Sequence, residues 1–364
     1  MKKKVAFFVV GLNAGGIENY LLRFLIHYRN EIEATVYCKS GWVGDLENDF
    51  RKEDILVKTF KVGYFNPFDL IKLKDELLSN SFEAIIDFTG NFAALPFLVG
   101  RSIGIGKRIC WYRNADDKFK KTKLRVFYNN LLNRATNKLA TDILSNSKTA
   151  LKYFYKDYNW ENDKRFEVIY NGLDSIRFLA TNENLREELS IPNNAFVVGN
   201  IGRLNEQKNH KTAIEVAIQL CLQFDDIYFI FCGKGVKEAY GNVVNEKMLS
   251  DRIIFTGVRR DIIKVLNSMN CFYFPSILEG QPNALIEAMV AGIPFVASDI
   301  EPVKETTPAS LHSYLVPPLD IEKAKEGILK IRSNNDYKQK FIVNKWAIDN
   351  FNSSKQFKKF FDKI

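Results

Sequence analysis

An α/β protein built from two doubly wound parallel sheets is the fold this sequence predicts, and three observations carry the prediction. Short β-branched and aromatic runs alternate with helical patterns along the chain. Such alternation places parallel strands under helices on both faces. The pattern stops in a polar stretch, Asn171–Asn194, and restarts at Phe196. The length, 364 residues, exceeds one ordinary hydrophobic core and suits two domains. With 46% apolar and 26% charged residues the chain is globular. That composition excludes a disordered tail, a collagen-like rod and a small disulfide scaffold.

The first strand is expected at Val5–Val10. It follows three lysines, as the apolar part of a signal peptide would, yet a glycine-rich loop and an amphipathic segment come next in place of a cleavage pattern. Further strands are expected at Ala34–Cys38, Ala84–Phe88, Arg108–Tyr112, Ile143–Ser145 and Glu167–Tyr170. The second series comprises Phe196–Ile201, Tyr228–Cys232, Ile253–Thr256, Cys271–Phe274 and Phe295–Ala297. Helical spacing marks Ile17–Tyr28, Pro67–Leu78, His210–Phe224 and Asn283–Ala291. The expected domains are 1–172 and 173–340. The remainder, 341–364, reads as one or two helices returning toward the first domain through Trp346, Phe351, Phe357, Phe360 and Phe361. No apolar run reaches the ~18–20 residues of a membrane span.

The five cysteines are scattered through apolar runs, no CxxC occurs, and the three histidines lie far apart. This argues against a disulfide framework or a structural metal site and suits a reducing cytosol. The net charge of +9 is concentrated. Between Arg101 and Lys148 stand twelve Lys or Arg against three Asp. A solvated helix face, an anionic membrane surface, an acidic substrate and nucleic acid are the four readings of such a segment. No nucleic-acid-binding signature accompanies it, so nucleic acid is not expected. Within it, Phe119, Leu124, Phe127, Leu131 and Leu132 fall near helical spacing with basic residues between them. That pattern suits a helix lying on an anionic membrane, and equally one packed on a sheet.

In open parallel sheets ligands bind beyond the carboxyl ends of the strands, so chemistry is sought in those loops. Gly11–Glu18 reads GLNAGGIE, with Gly15 and Gly16 opening a helix whose free N–H groups suit an anion. A dinucleotide site would want GxGxxG here and an acid ending strand two, where Lys39 stands instead. Gly202–Asn209 reads GRLNEQKN. Arg203 and Lys208 place two cations where a diphosphate could be held, and Asn209 is expected to cap the next helix. In Phe274–Gly292, Pro282 sits where a helix begins, and Asn283 and Glu287 share one helix face. Glu287 could hold a ribose diol and Glu279 a second polyol, while Leu285, Ala288 and Met289 look like core.

At this last loop the sequence resembles a known family. EGQPNALIEAMVAGIPFVASD, with Glu279 and Glu287 eight apart, resembles the signature of retaining GT-B glycosyltransferases of the glycosyl transferases group 1 family, glycosyltransferase family 4. GGIEN, VIYNGLDSIRF, GRLNEQKN, FTGVRRDI and the closing FNSSKQFKKFFDKI follow the family's order and spacing. The resemblance implies the GT-B fold, two Rossmann-like domains facing a central cleft. It implies an acceptor-binding first domain and a nucleotide-sugar-binding second. It implies that Arg203 and Lys208 bind the donor diphosphate and stabilise the leaving group. Glu287 would hold the ribose and Glu279 the donor sugar. The backbone of Asn283, Ala284 and Leu285 would face the donor, Gly15 and Gly16 would lie against the diphosphate, and Val258 and Arg259 near the base.

Sugar–diphosphate cleavage develops charge that fixed cations and helix-end amides can stabilise without a metal. No Asp-x-Asp occurs in the chain, so no metal or cofactor is expected. Many relatives carry a histidine in an HxHN-like string where this chain has Trp111-Tyr112-Arg113-Asn114. Arg113, Asn114 and Asp116 are therefore the acceptor-side candidates, with Asp117 beside them. The expected activity is hexosyl transfer from a nucleotide diphosphate donor, a UDP-sugar foremost, to a lipid-linked or growing polysaccharide. The expected place is the inner face of the cytoplasmic membrane, reached peripherally through residues 101–148, in capsule or exopolysaccharide assembly. A catalytically silent nucleotide-sugar or glycan-binding relative and a UDP-sugar 2-epimerase are the alternatives.

Overall fold

The computed structural model describes residues 2–13, 15–61, 67–113, 122–179, 181–334 and 337–364. Continuous apolar runs become strands buried on both faces, as parallel sheets require. In the first unit these are β1 (Lys3–Val9), β2 (Ile32–Cys38), β3 (Leu56–Thr59), β4 (Ala84–Asp87), β5 (Lys107–Tyr112), β6 (Asp142–Ser145) and β7 (Phe166–Val168). They form one sheet in the order β3-β2-β1-β4-β5-β6-β7, every pair parallel. Val5 to Val9 are almost wholly buried, which explains why β1 reads as an unbroken apolar string.

The second unit holds β8 (Phe196–Ile201), β9 (Ile227–Cys232), β10 (Ile253–Gly257), β11 (Cys271–Phe274), β12 (Phe295–Ser298) and β13 (Leu315–Val316). Their order is β10-β9-β8-β11-β12-β13, again parallel. Each sheet reverses direction of winding beside its first strand, between β1 and β4 and between β8 and β11. These are the topological switch points where open sheets bind ligands. The loops after β1 and β8 therefore stand where the sequence placed its candidate chemistry.

Two strands were not expected. β3 carries exposed Leu56 and a lysine on a sheet edge, and β13 has two residues, so neither shows a strong apolar pattern. The strand expected at Glu167–Tyr170 lies earlier, at Phe166–Val168. The basic helix spans Lys123–Leu139, with the Thr122 side chain accepting from the Arg125 amide. Of its expected apolar face only Leu132 is core; Leu124, Phe127 and Leu131 are exposed, and Phe119 lies outside the described residues.

The chain divides into Met1–Asn171 with Lys355–Ile364, and Gly172–Ser354. The expected 341–364 segment is thus split. Helix Tyr337–Phe351 belongs to the second unit, where Asn344 Nδ2 donates to the Val290 carbonyl. Helix Ser353–Phe361 belongs to the first unit from Lys355 onward. There Phe360 packs 4.3 Å from Trp111 and 4.4 Å from Phe24 between ring centroids, and Phe357 meets Tyr20 at 5.3 Å. Where the chain passes itself, the Leu173 amide donates to Phe351 O at 2.7 Å and the Ser353 amide to Leu173 O at 2.9 Å. A Cβ on Gly172 would come within 2.6 Å of Ser353 Cα, so the glycine of the NGLD string is needed for this close passage.

Phe360 is fully buried. Phe360→Ala is expected to cost about 3–5 kcal/mol, the range for emptying a buried aromatic site. Urea unfolding of the first unit, followed through its tryptophans, measures this; a loss below about 1 kcal/mol would mean the terminal helix does not support that core.

Candidate functional site

In the second unit the loop after β8 is built by backbone bonds to its neighbour. The Gly202 amide donates to Cys232 O at 2.9 Å and the Leu204 amide to Lys234 O at 2.8 Å. This close approach depends on Gly233, where a Cβ would stand 2.0 Å from the Gly202 carbonyl oxygen. Asn205 Oδ1 accepts from the Lys208 amide at 2.8 Å and closes a short 3₁₀ turn, Glu206–Lys208. His210 is buried and its Nε2 lies 3.1 Å from Gly202 O. Burial pushes the His210 pKa down, so the ring is neutral and Nε2–H is the donor.

Asn209 does not cap the following helix as expected. It sits at the N-cap position in left-handed conformation, φ 52°, with no capping bond to the helix amides. Its side chain clamps three loops instead. Nδ2 donates to Pro275 O at 3.1 Å and Pro318 O at 2.8 Å, while Oδ1 accepts from Thr212 Oγ1 at 2.9 Å. The Oδ1 that would cap the helix is taken by the Thr212 hydroxyl, and Nδ2 is turned to the two proline carbonyls.

The loop after β11 is brought to the same place. The Ile277 amide donates to Gln207 O at 2.8 Å. Glu279 Oε1 accepts from Lys208 Nζ at 2.6 Å, and the ammonium lies 5.0 Å from the centre of the Phe274 ring. Both side chains of this ion pair are largely buried. Arg203, on the same loop, is exposed and enters no ion pair among the described residues. The helix Asn283–Val290 starts at Pro282, as expected. The Asn283 amide donates to Gln281 O at 3.0 Å and the Ile286 amide to Pro282 O at 3.1 Å. The amides of Ala284 and Leu285 are left as first-turn donors. Asn283, Ala284 and Glu287 are half-buried, while the Leu285 side chain is core, so only its backbone is placed for a ligand.

The structure therefore brings Arg203, Lys208, Glu279 and the start of the Asn283–Val290 helix onto two loops tied to each other. Val258 is exposed on the turn after β10. Arg259 is held by carboxylates, with Nη1 donating to Glu188 at 2.6 Å and Nη2 to Asp261 at 2.7 Å. The Arg259 guanidinium in turn lowers the Asp261 pKa to about 2. Sequence reasoning missed the Lys208–Glu279 pair, the Asn209 clamp and the Gly233 approach. Only the last left a signal, a glycine directly after a strand.

In the first unit Gly15 is the N-cap of helix Gly16–His27, and its carbonyl accepts from Asn19 Nδ2 at 2.9 Å. Arg113 follows β5 directly and is buried, its Nη2 donating to Asn171 Oδ1. Asn114, Asp116 and Asp117 lie outside the described residues.

Residues 181–345 match the family model of glycosyl transferases group 1. The capsular polysaccharide biosynthesis glycosyltransferase CapH of Staphylococcus aureus is 27% identical over 298 residues, covering 80% of this chain and 79% of its own. An Escherichia coli UDP-Gal:alpha-D-GlcNAc-diphosphoundecaprenol alpha-1,3-galactosyltransferase is 33% identical over 143 residues, 37% of either chain. Among solved structures, Anabaena HepE in complex with UDP and glucose superposes with a TM-score of 0.80 at 19% identity, covering 99% of this chain and 98% of its own. The two Rossmann-like sheets are those of the GT-B fold.

Gly233→Ala is expected to destabilise the second unit by about 1–3 kcal/mol, because backbone and not a movable side chain blocks the new methyl. Gly241→Ala, in a helix with only the Lys237 side chain at 3.7 Å, should be neutral or stabilising by up to about 1 kcal/mol. Thermal unfolding of the two variants side by side decides; equal effects would remove the constraint assigned to Gly233.

Proposed function

We propose that this chain, whose residues 181–345 match the glycosyl transferases group 1 model, is a glycosyltransferase related to polysaccharide-biosynthesis enzymes, and that it moves a sugar from a UDP-sugar to a lipid-linked or growing glycan with retention at the anomeric carbon. The observation that carries the donor side is the pairing of the β8 and β11 loops. Lys208, held at 2.6 Å from Glu279, stands with Arg203 beside the free amides of a helix start. A nucleoside diphosphate fits this set. Arg203 supplies a guanidinium fork, Lys208 a compact charge and the Asn283–Val290 helix its first-turn N–H groups. Glu287 is assigned to the ribose hydroxyls and Glu279 to the donor sugar.

The chemistry follows from where charge develops. The bond from the anomeric carbon to the phosphate oxygen breaks, and its electron pair leaves with the diphosphate. The acceptor oxygen attacks on the same face, and its proton passes to that phosphate oxygen. Arg203, Lys208 and the helix amides oppose the new negative charge, which is the work a divalent cation does elsewhere. Metal-free transfer is proposed on that ground. The UDP and UDP-sugar complexes of HepE and the diphosphoundecaprenol substrate named for the Escherichia coli relative support the donor and acceptor classes.

A membrane-bound acceptor suits the basic helix of the first unit. Leu124, Phe127 and Leu131 are 79%, 68% and 54% exposed, one helical face apart from its core residue Leu132. Lys123, Arg125, Arg134 and Lys138 accompany them. An apolar stripe flanked by cations is the pattern of a helix lying in an anionic headgroup layer. No helix among the described residues is long and apolar enough to cross a membrane.

Three experiments test the reading. UDP at 100 times its dissociation constant should stabilise the protein by about 2.7 kcal/mol, unchanged by EDTA, and Lys208→Ala or Glu287→Ala should lower turnover at least ~100-fold. Near-wild-type turnover in both variants would remove the donor assignment. Leu124→Ser/Phe127→Ser/Leu131→Ser should lose at least about ten-fold in binding to phosphatidylglycerol vesicles, each buried apolar side chain contributing about 1.5–3 kcal/mol. Undiminished vesicle binding would place the docking surface elsewhere.

A further inference from the structure

Arg113 is the first residue beyond β5 and is only 6% exposed. Its guanidinium carbon lies 4.3 Å from the centre of the Tyr20 ring and 5.2 Å from that of Trp111. Nη2 donates to Asn171 Oδ1, but Nε and Nη1 have no hydrogen-bond partner among the described residues. The Tyr20 hydroxyl and Trp111 Nε1 are buried without a partner as well. Asn146 stands opposite Arg113, because Tyr112 and Ser145 are register partners and the Asn146 amide donates to Tyr112 O at 3.3 Å. Its Oδ1 is a buried acceptor with no partner among the described residues.

Buried donors and acceptors are almost always paired in native proteins, and a buried cation needs both charge and hydrogen bonds around it. Here one neutral amide oxygen is the only acceptor bonded to the guanidinium among the described residues. Burial draws the Arg113 pKa down to about 10, with Tyr20 and Glu18 acting against that shift and Arg23 adding to it. Among these atoms the Arg113 nitrogens and the Trp111 N–H only donate, Asn146 Oδ1 only accepts, and the Tyr20 hydroxyl can do either. A ligand with an oxyanion and an adjacent hydroxyl satisfies both kinds. Arg113, Asn146 and Asn171 lie just beyond the carboxyl ends of β5, β6 and β7, the side on which open sheets bind ligands, and Tyr20 reaches them from the helix Gly16–His27 after β1.

We propose that Arg113, Tyr20 and Asn146 form an oxyanion subsite in the first unit that receives an anionic group, phosphate or sugar carboxylate, of the acceptor. That the ligand is the acceptor rests on the transfer reading above; the subsite itself does not. A purely structural role, pinning β5 to the segment after β7 through Asn171, would use one nitrogen and leave the others unsatisfied.

The test is calorimetric titration of the full chain, first with UDP and then, at saturating UDP, with inorganic phosphate, methyl glucuronide and neutral methyl glucoside. The oxyanions should bind and the glucoside should not. Arg113→Gln should weaken oxyanion binding at least ten-fold while UDP affinity stays within two-fold, which also reports that the variant is folded. Should that variant lose UDP binding, Tyr20→Phe, which removes a single hydroxyl, is expected to weaken the oxyanions about three- to ten-fold. Tighter phosphate than glucuronide identifies the acceptor's phosphate as the ligand, and the reverse identifies an acidic sugar. Equal oxyanion binding in wild type and variants, or none in wild type, overturns the subsite. Failure of wild type to bind UDP overturns the donor reading instead, and the oxyanion arms are then read without it.

Discussion

Burial of both faces of two parallel sheets is the constraint on which the rest of the structure depends. Val5–Val9 in β1 and Val197 and Val198 in β8 have no solvent-facing side, so a polar group on a strand must be buried with its own partner, as Asn200 is on the Tyr273 carbonyl and Asp87 on Lys39. Polar chemistry is displaced to the strand ends, and the reversal of winding beside β1 and β8 opens space there. Helix starts follow directly, at Gly16 and, after a short turn, at His210. Both units thus present backbone donors and short polar loops at the place where the sheet order changes.

Within that frame the second unit spends its precision on holding two loops in register. Gly233 admits the Gly202 carbonyl, Asn205 closes the turn before Lys208, and Asn209 clamps the loop to Pro275 and Pro318. The Lys208–Glu279 pair is what this scaffold delivers. A largely buried ion pair is weak evidence of stabilisation, because desolvation offsets much of its attraction. Its value here is positional: it holds a cation and a carboxylate side by side on the two joined loops. Arg203 stays exposed on the same loop.

The first unit is arranged differently. Its aromatic core, Tyr20, Phe24, Trp111, Phe357 and Phe360, extends to the sheet end and walls Arg113 on its ring faces. A guanidinium stacks on aromatic faces without losing its in-plane donors, so the cluster presents directed N–H groups inside an apolar shell. The terminal helix completes that shell, which links the last ten residues of the chain to a feature at the end of β5. On the outside, helix Lys123–Leu139 shows that amphipathic spacing has two solutions: Leu132 turns to the core, and Leu124, Phe127 and Leu131 turn away from it.

The alternation of apolar runs and helical spacing determined the class, the two sheets and the loops that matter, because strand burial and helix periodicity are local properties of sequence. The glutamate spacing in Phe274–Gly292 and the cation pair in GRLNEQKN were legible for the same reason: each lies within one loop or one helix turn. Tertiary structure decided what depends on partners distant in sequence. Asn209 became a clamp and not a cap because two proline carbonyls were within reach. Arg259 was taken by Glu188 and Asp261, and Arg113 was sealed beneath Tyr20. The split of the C-terminal segment was decided the same way, since Trp346 and Phe360 are equally apolar in sequence and only packing assigns them to different units. Weak strands such as β3 and β13 form because a neighbouring strand offers an edge, a property of the sheet and not of the residues themselves.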